Sequence, residues 1–537
     1  MITLADQPFN APSLAYGKLY PLLIVFGVAL AGVLVEAFAP RAMRYLIQSV
    51  LALGGLLAAF IGVILVAGSI SSNSGAGAGS IGSIEAQGAI AVDGPSLFIW
   101  GTLLILSIIS VMLFAERRLE GGVTAFAGQA SALPGTEAER EASARGIEHT
   151  EIFPLVTFAI GGMMLFSSAN DFLTMFVALE VFSLPLYLLC GLARRRRLIS
   201  QEAALKYFML GAFSSAFFLY GIALIYGFAG SMHFADVAQA VSGTVGNSTL
   251  LLMGTGLVGV GLLFKVSAAP FHSWTPDVYQ GAPTAVTAFM AACTKLAAFG
   301  ALLRVFYVAL GGARWDWEPM IWIIAIITMA VGSIIAITQT DVKRMLAYSS
   351  IAHAGFLLTA FAGAHQGIEV AGHQITSIQA IMFYLVAYGF TTVGAFAVVT
   401  VVRDSSGEAN HLSRWAGLGK EAPVVAGVFA FFLLAFAGIP LTSGFTGKWA
   451  VFTAAWEGGA WPLVVVAVLM SVVAAFFYVR VIVLMFFSEP VGDGPSVAIP
   501  SVLTSTVIAL GAVVTLVLGV VPQPVLELAH QAGNFVR

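Results

Sequence analysis

The segment Leu250-Leu-Leu-Met-Gly-Thr-Gly-Leu-Val-Gly-Val-Gly-Leu-Leu-Phe-Lys265-Val-Ser-Ala-Ala-Pro270 places a single lysine in an otherwise uncharged apolar run. Fifteen uncharged residues lead up to Lys265, and a proline interrupts the helix five residues later. An ammonium in hydrocarbon costs roughly 3 kcal/mol or more, so it persists only with a partner, with water or with a function. Isolated charges of the same kind recur at Glu180, Lys206, Lys295 and Lys448. A chain that repeatedly buries titratable groups in this way is predicted to move protons or ions.

The composition is that of a membrane protein. Hydrophobic residues make up 59% of the chain and charged residues 9%, whereas soluble domains carry about 25% charged residues. The two cysteines, Cys190 and Cys293, lie in apolar segments without a Cys-x-x-Cys or Cys/His cluster. We therefore expect no metal, iron–sulfur cluster or disulfide in this chain. No nucleic-acid partner is expected either. The apolar run nearest the N-terminus lacks a basic leader, so no cleavable signal is expected.

Fourteen apolar stretches are long enough to span about 30 Å of hydrocarbon as helices. The predicted fold class is thus an all-α polytopic membrane protein with about fourteen transmembrane helices. The stretches lie at 19–37, 46–68, 96–115, 152–168, 171–192, 202–229, 249–271, 283–309, 318–338, 342–363, 376–402, 423–456, 462–488 and 501–520.

The basic residues predict an orientation. If both termini lie outside, three Lys and Arg fall in outer segments and fifteen in cytoplasmic segments, which is a strong positive-inside asymmetry. The outer residues are Lys18, Arg314 and Arg537. The cytoplasmic residues are Arg41, Arg44, Arg117, Arg118, Arg140, Arg145, Arg194 to Arg197, Lys343, Arg344, Arg403, Arg414 and Lys420. We expect a multi-pass protein of the cell (inner) membrane.

Two blocks of five helices, 152–309 and 318–488, suggest inverted repeats, because an odd helix number reverses the second block. The fourth helix of each block is interrupted near an isolated lysine, Lys265 or Lys448. Paired broken helices in inverted repeats point to a transport pathway. The remaining divisions are helices 1–3 (1–115), a cytoplasmic loop (116–151), and the last helix with the C-terminus (489–537). The loops 69–95 and 116–151 are predicted to be disordered, since they lack a periodic apolar face.

The isolated charges can be given roles. Glu180 and Lys206 lie on consecutive antiparallel helices and are predicted to pair, either as a coupling element or as a structural ion pair. Lys265, Lys295 and Lys448 have no sequence-local partner, and the alternative to a proton-carrying role is snorkelling to an interface. His272 and His353 could relay protons between lysines, although structural hydrogen bonding explains them equally well. Arg304 and Arg480 are expected to be structural, because arginine is too basic to release a proton.

The segment Lys265-Val-Ser-Ala-Ala-Pro-Phe-His-Ser-Trp-Thr-Pro-Asp-Val-Tyr-Gln-Gly-Ala-Pro-Thr284 closely resembles the broken seventh helix of the antiporter-like subunits of respiratory complex I. Further matching motifs are Leu179-Glu180-Val, Lys206-Tyr-Phe, Thr294-Lys295-Leu, Asp341-Val-Lys-Arg-Met-Leu-Ala-Tyr-Ser-Ser350 and Gly438-Ile-Pro-Leu-Thr-Ser-Gly-Phe-Thr-Gly-Lys448. The resemblance covers about 150–490. Lys295, Lys448 and the short C-terminus resemble the N type of these subunits rather than the L or M type.

This resemblance implies a proton-translocating membrane-arm subunit of NADH-quinone oxidoreductase, with the other membrane-arm subunits and the lipid bilayer as its partners. FMN, iron–sulfur clusters and the quinone site would lie in partner subunits. Glu180 with Lys206 would be the coupling pair, Lys265 the central proton carrier, Lys295 a connecting lysine and Lys448 the outlet-side carrier. The alternatives are a subunit of a multi-subunit cation/proton antiporter, or a structural subunit that pumps nothing.

Overall fold

Helices in the computed structural model follow the predicted apolar stretches. The structure describes residues 14–73, 82–129, 131, 134, 136–138, 141, 145, 147–243, 248–363, 375–404, 407–490 and 494–536. In this part of the chain, eleven helices are long and apolar enough to cross a membrane, and three apolar helices are shorter. Together they correspond to the fourteen predicted spans, so the predicted fold class is confirmed.

A three-helix unit opens the described chain. It consists of α1 (Tyr16–Phe38), α2 (Arg41–Asn73) and α3 (Gly94–Phe114), with a hairpin of β1 (Gly82–Glu85) and β2 (Ile90–Asp93) before α3. The prediction that 69–95 is disordered was therefore wrong for its helical start and for 82–93, while 74–81 lies outside the described residues. The hairpin is tied to α1, since the Lys18 ammonium lies 2.9 Å from the Glu85 carboxylate.

The segment 116–151 is also partly ordered. Its backbone is hydrogen-bonded to the turn after the fifth span, from the Ala127 amide to the Leu192 carbonyl (2.7 Å) and from the Arg194 amide to the Ala125 carbonyl (2.9 Å). Phe126 is fully buried in that contact. The predicted disorder of 116–151 was therefore wrong for these residues. Arg140 of the charge count lies outside the described residues, as does Arg537.

The first repeat runs from the fourth span to the eighth. Its helices are α4 (Ile152–Ser168), α5 (Phe172–Cys190), α6 (Arg197–Ala229), the short α7 (Phe234–Ser242), α8 (Thr249–Lys265), α9 (Trp274–Gly281), α10 (Thr284–Phe289) and α11 (Lys295–Arg304). A π-helical turn, Met290–Thr294, joins α10 to α11, and a second, Val305–Ala309, follows α11. The seventh span is therefore broken between α8 and α9, as predicted.

The second repeat has the same order of elements. It comprises α12 (Arg314–Ile337), α13 (Val342–Ala362), α14 (Ser377–Val401), α15 (Leu418–Glu421), α16 (Pro423–Ala437), α17 (Ser443–Glu457) and α18 (Trp461–Phe487). A small sheet of β3 (Val402–Asp404), β4 (Gly407–Glu408) and β5 (Ser496–Val497) lies beside it. The chain closes with α19 (Val502–Val520) and α20 (Gln523–Gln531).

A matching pair of backbone contacts marks the two repeats. Asp171 caps α5 and forms an isolated β-bridge with His233, and Asp341 caps α13 and forms one with His411. In each case the residues beside the bridge form further backbone hydrogen bonds. The Phe172 amide donates to the Met232 carbonyl, and the Val342 amide donates to the Asn410 carbonyl. The first bridge lies at the end of the molecule that carries the β1–β2 hairpin. The second lies at the opposite end, with Arg194–Arg197, as inverted topology requires.

Helix packing places the polar residues at the centre of the bundle. The spans Thr284–Ala309, Val342–Ala362 and Ser377–Val401 are buried within the protein, whereas α1, α2 and α19 are largely exposed along their apolar sides. Glycines allow close contact where α6 meets α8: a Cβ at Gly221 would lie 2.7 Å from the Val258 nitrogen. Small residues commonly bring membrane helices together in this way.

Candidate functional site

Three of the predicted lysines are buried inside the protein. The exposed fractions of Lys265, Lys295 and Lys448 are 3%, 2% and 5%, so none of them snorkels to an interface. Among the residues that the structure describes, no carboxylate lies within ion-pairing distance of any of the three. A buried ammonium without a carboxylate must be stabilised by neutral groups or lose its proton.

Each of these lysines contacts a serine hydroxyl. The amine nitrogens of Lys265, Lys295 and Lys448 lie 2.8 Å from Ser183 Oγ, 2.7 Å from Ser350 Oγ and 2.7 Å from Ser471 Oγ. A hydroxyl accepts a hydrogen bond from an ammonium and can turn to donate one to a neutral amine, whereas a carboxylate only accepts. The three serines therefore accommodate both protonation states of their lysines.

Aromatic rings complete the surroundings of the lysines. The Lys265 nitrogen lies 5.2 Å from the Phe182 ring centre, 5.7 Å from that of Tyr187 and 5.5 Å from that of Tyr207. Lys295 lies 4.9 Å from the Tyr388 ring centre, and Lys448 lies 4.9 Å from that of Phe356. Ring faces attract a cation without taking its proton.

The broken helices position Lys265 and Lys448 in equivalent ways. Lys265 occupies the last turn of α8, and the Lys448 ammonium donates a 3.0 Å hydrogen bond to the Ala437 carbonyl at the end of α16. Both cations thus lie at the C-terminus of a half-helix, where unpaired carbonyls and the helix dipole favour positive charge. In sequence one lysine precedes its break and the other follows it, but in space they occupy corresponding positions.

His353 lies between the second and third lysines. Its Nδ1 is 2.6 Å from the Tyr384 hydroxyl and its Nε2 is 3.3 Å from the Tyr478 hydroxyl. On α13 it follows Ser350 by three residues, so it shares a helix face with the serine that holds Lys295. An imidazole hydrogen-bonded through both nitrogens can take up a proton on one side and release it on the other.

The predicted direct pair of Glu180 and Lys206 is not formed in this structure. The Lys206 ammonium lies 2.8 Å from Asp277 Oδ2 and 2.7 Å from Glu202 Oε1, and its side chain is 41% exposed. Glu180 is half-buried, and its Oε1 has no hydrogen-bond partner among the described residues. Asp277 therefore takes the place that the sequence analysis assigned to Glu180.

His272 does not join the group formed by Lys265, Lys295, Lys448 and His353. It is half-buried in the break between α8 and α9, and its Nδ1 has no hydrogen-bond partner among the described residues. Six further residues that the sequence did not indicate as site residues also lie in the site. These are Ser183, Ser350, Ser471, Tyr384, Tyr478 and Asp277. Asp277 alone carried a signal, since it is the charged residue of the Thr275-Pro-Asp-Val-Tyr279 motif.

Comparison with known proteins identifies the family. Residues 169–475 match the family described as NADH:quinone oxidoreductase/Mrp antiporter, TM. A protein of Nocardioides sp. named NADH-quinone oxidoreductase subunit N is 67% identical over 533 residues, covering 98% of this chain and 100% of that protein. This chain belongs to the NADH-quinone oxidoreductase subunit N family. The resemblance inferred from its motifs is thereby confirmed.

Solved structures share the fold of this chain. A chain in the structure of respiratory complex I from Thermus thermophilus with bound aureothin is 34% identical, with a TM-score of 0.73, covering 96% of this chain and 100% of that chain. A chain of the Mrp complex from Dietzia sp. has a TM-score of 0.76 at 21% identity, covering 97% of each. The second likeness concerns the fold alone. This chain is a multi-pass membrane protein with the antiporter-like fold.

Proposed function

We propose that this chain is a proton-translocating membrane subunit of an NADH-quinone oxidoreductase, which couples electron transfer from NADH to quinone to proton movement. The observation that carries the proposal is the set of three buried lysines, each contacting a serine hydroxyl and none paired with a carboxylate among the described residues. Buried ionisable groups in membrane spans are typical of proton pathways.

The proposed path runs through groups that can each gain and lose a proton. Lys265 is the central carrier, Lys295 connects it to His353, and Lys448 is the outlet-side carrier. Glu180 modulates the first step, because a carboxylate charge near Lys265 favours its ammonium form and neutralising that charge favours release. Lys206 acts with Glu180 as a coupling element, although it contacts Asp277 in this structure. His272 has no role in this path.

The proposed partners are the other membrane-arm subunits of the oxidoreductase and the lipid bilayer. FMN, the iron–sulfur clusters and the quinone site belong to those partners in this proposal. A cation/proton antiporter subunit is the less supported alternative, since the Mrp likeness is one of fold at 21% identity. In a purely structural subunit, the buried lysines would be expected to pair with carboxylates. Arg304 of this chain forms such a pair with Asp93.

The test is purification of the complex through an affinity tag on this chain. We expect flavin and iron–sulfur subunits to copurify, and NADH oxidation to drive proton uptake in vesicles that contain the complex. An isolated antiporter would instead exchange sodium for protons without any response to NADH. Recovery of this chain without redox subunits would overturn the proposal.

We also propose that both termini lie on the outer side and that Arg194–Arg197 face the cytoplasm, on the basis of the positive-inside asymmetry. A reporter fused at residue 196 should remain cytoplasmic, and one fused after residue 530 should be exported. A matched fusion in the turn at 310–313 should also be exported, because an even number of spans separates that turn from the N-terminus. The reverse pattern would overturn the orientation and the direction of the proton path.

A further inference from the structure

Asp277 holds Lys206 in a position that the sequence did not predict. Its two carboxylate oxygens contact different repeats: Oδ2 lies 2.8 Å from Lys206 of α6, and Oδ1 lies 2.5 Å from Arg344 Nη1 of α13. Arg344 Nη1 also lies 3.0 Å from Gln280 Oε1, and Gln280 Nε2 lies 3.2 Å from Asp341 Oδ2. One carboxylate thus joins α6, α9 and the start of α13.

Lys206 and its neighbour Tyr207 lie on different sides of α6. The neighbouring residue Tyr207 packs edge-on against Tyr187 of α5, with the ring centres 4.6 Å apart, and both rings surround Lys265. Successive side chains on a helix are rotated by about 100°. Tyr207 contacts both Tyr187 of α5 and Trp274 of α9, so Lys206 points to a different side of α6, where its ammonium bonds Asp277.

Glu180 is correspondingly left without a cation at hydrogen-bonding distance. Its Oε1 is buried and has no partner among the described residues, and an unpaired buried carboxylate is costly. Lys206 has four rotatable side-chain bonds, and α5 packs against α6. A change at Asp277 would therefore release the cation that Glu180 lacks.

We propose that Asp277 is a positioning residue of the proton path: it restrains Lys206 away from Glu180 and links that restraint to the second repeat through Arg344. When the Asp277–Lys206 contact opens, Lys206 pairs with Glu180 and neutralises a carboxylate that lies one helical turn from Ser183, the hydrogen-bond partner of Lys265. The arrangement at Arg344 thereby sets whether Lys265 retains its proton. This inference rests on the proposed function, since it requires Lys265 to carry protons.

The test uses the complete complex in vesicles and measures protons taken up per NADH oxidised, normalised to assembled complex. Asp277→Asn is expected to lower this ratio at least twofold, and Asp277→Glu to restore most of it, because the negative charge is what restrains Lys206. Glu202→Gln is the matched control: it removes the other carboxylate bonded to Lys206, which is exposed and one helical turn away. That variant should keep a ratio close to wild type.

A double variant separates positioning from a structural role. If Asp277 acts through Lys206, Asp277→Asn combined with Lys206→Ala should be no worse than Lys206→Ala alone. Additive losses, or a wild-type ratio in Asp277→Asn, would overturn the proposal. Should Asp277→Asn fail to assemble, Arg344→Gln provides the measurement: a lowered ratio is expected, and an unchanged one overturns the link. Failure of the proposed function itself is distinct, because Lys265→Ala would then pump normally.

Discussion

Two regions of this protein bury a cation by opposite means. Arg304 on α11 and Asp93 before α3 are both fully buried and form an ion pair at 2.7 Å. Arg304 also donates to Ser96 Oγ at 2.8 Å, and the other Asp93 oxygen accepts from the Val536 amide at 3.1 Å. Lys265, Lys295 and Lys448 are buried almost as deeply, but they contact serines and ring faces. The two regions differ in whether a carboxylate lies beside the buried basic side chain: Asp93 lies beside Arg304, whereas each lysine has a serine.

The physical reason lies in the partners. A carboxylate close to a guanidinium stabilises the charged form of both groups, and arginine does not deprotonate in proteins. The Arg304–Asp93 pair thus joins α11, the start of α3 and the C-terminal segment. A lysine beside a hydroxyl is not held in its charged form, since a serine can accept a hydrogen bond from the ammonium or donate one to the neutral amine. The proposed path therefore requires a change of charge only at the three lysines that contact serines.

The largest effect is expected from breaking the Arg304–Asp93 pair. Arg304→Ala leaves the Asp93 carboxylate buried without its cation, which typically costs about 3–5 kcal/mol. We expect little assembled complex, measured by native electrophoresis and by thermal unfolding of what remains. Arg480→Ala is the control, because Arg480 is exposed and its Nη1 bonds the Ile337 carbonyl at 2.8 Å. Wild-type assembly of Arg304→Ala would remove the distinction between the two regions.

Lys265 should behave in the opposite manner. Lys265→Ala removes the carrier but leaves a small residue in the bundle, so the complex should assemble while NADH-driven proton uptake falls by about tenfold or more. Lys265→Arg keeps a charge that cannot be released and should also pump poorly. A structural ion pair would give the reverse order, with arginine nearly normal and alanine unstable. Wild-type pumping by Lys265→Arg would exclude a carrier role.

Neutralising Glu180 should have an intermediate effect. Glu180→Gln removes a carboxylate that lies one helical turn from Ser183, the hydrogen-bond partner of Lys265, so proton uptake should fall several-fold with assembly preserved. Glu180→Asp keeps the charge on a shorter side chain and should retain part of the activity. The measurement is proton uptake normalised to assembled complex. Equal pumping by Glu180→Gln and wild type would leave the Lys265 site independent of this carboxylate.

The sequence was informative for features that can be read along the chain without knowledge of the packing. A lone charge in an apolar run reveals Lys265, Lys295 and Lys448, and an apolar run of sufficient length reveals a span. The partners of those charges depend on side-chain direction around a helix, which the sequence does not specify. Lys206 is the clearest case: it lies on the helix that follows that of Glu180, but its ammonium contacts Asp277. Serines within apolar helices carry no signal until packing brings them to a lysine.

The smallest effects are expected from the serines, and their order tests the comparison most finely. Ser183 Oγ is the hydrogen-bond partner of Lys265 in the described structure, whereas Lys295 also contacts the Ser350 carbonyl and Lys448 also contacts the Ala437 carbonyl. Removing one hydrogen bond costs about 1 kcal/mol, or about fivefold in an equilibrium. Ser183→Ala should therefore slow proton uptake by about that factor, and Ser350→Ala and Ser471→Ala by less, because a carbonyl remains.

Ser183→Thr is the matched control for this series, since it keeps the hydroxyl and adds a methyl group. Its proton uptake should stay near wild type, while Ser183→Ala should lose activity without losing assembly. Stopped-flow uptake in vesicles would resolve differences of this size. If alanine at 183 pumped as well as threonine, the hydroxyl would not matter to Lys265, and the ring faces alone would have to stabilise its charge. Equal losses at all three serines would show that the carbonyl contacts contribute nothing, contrary to the half-helix geometry that places Lys448 against Ala437.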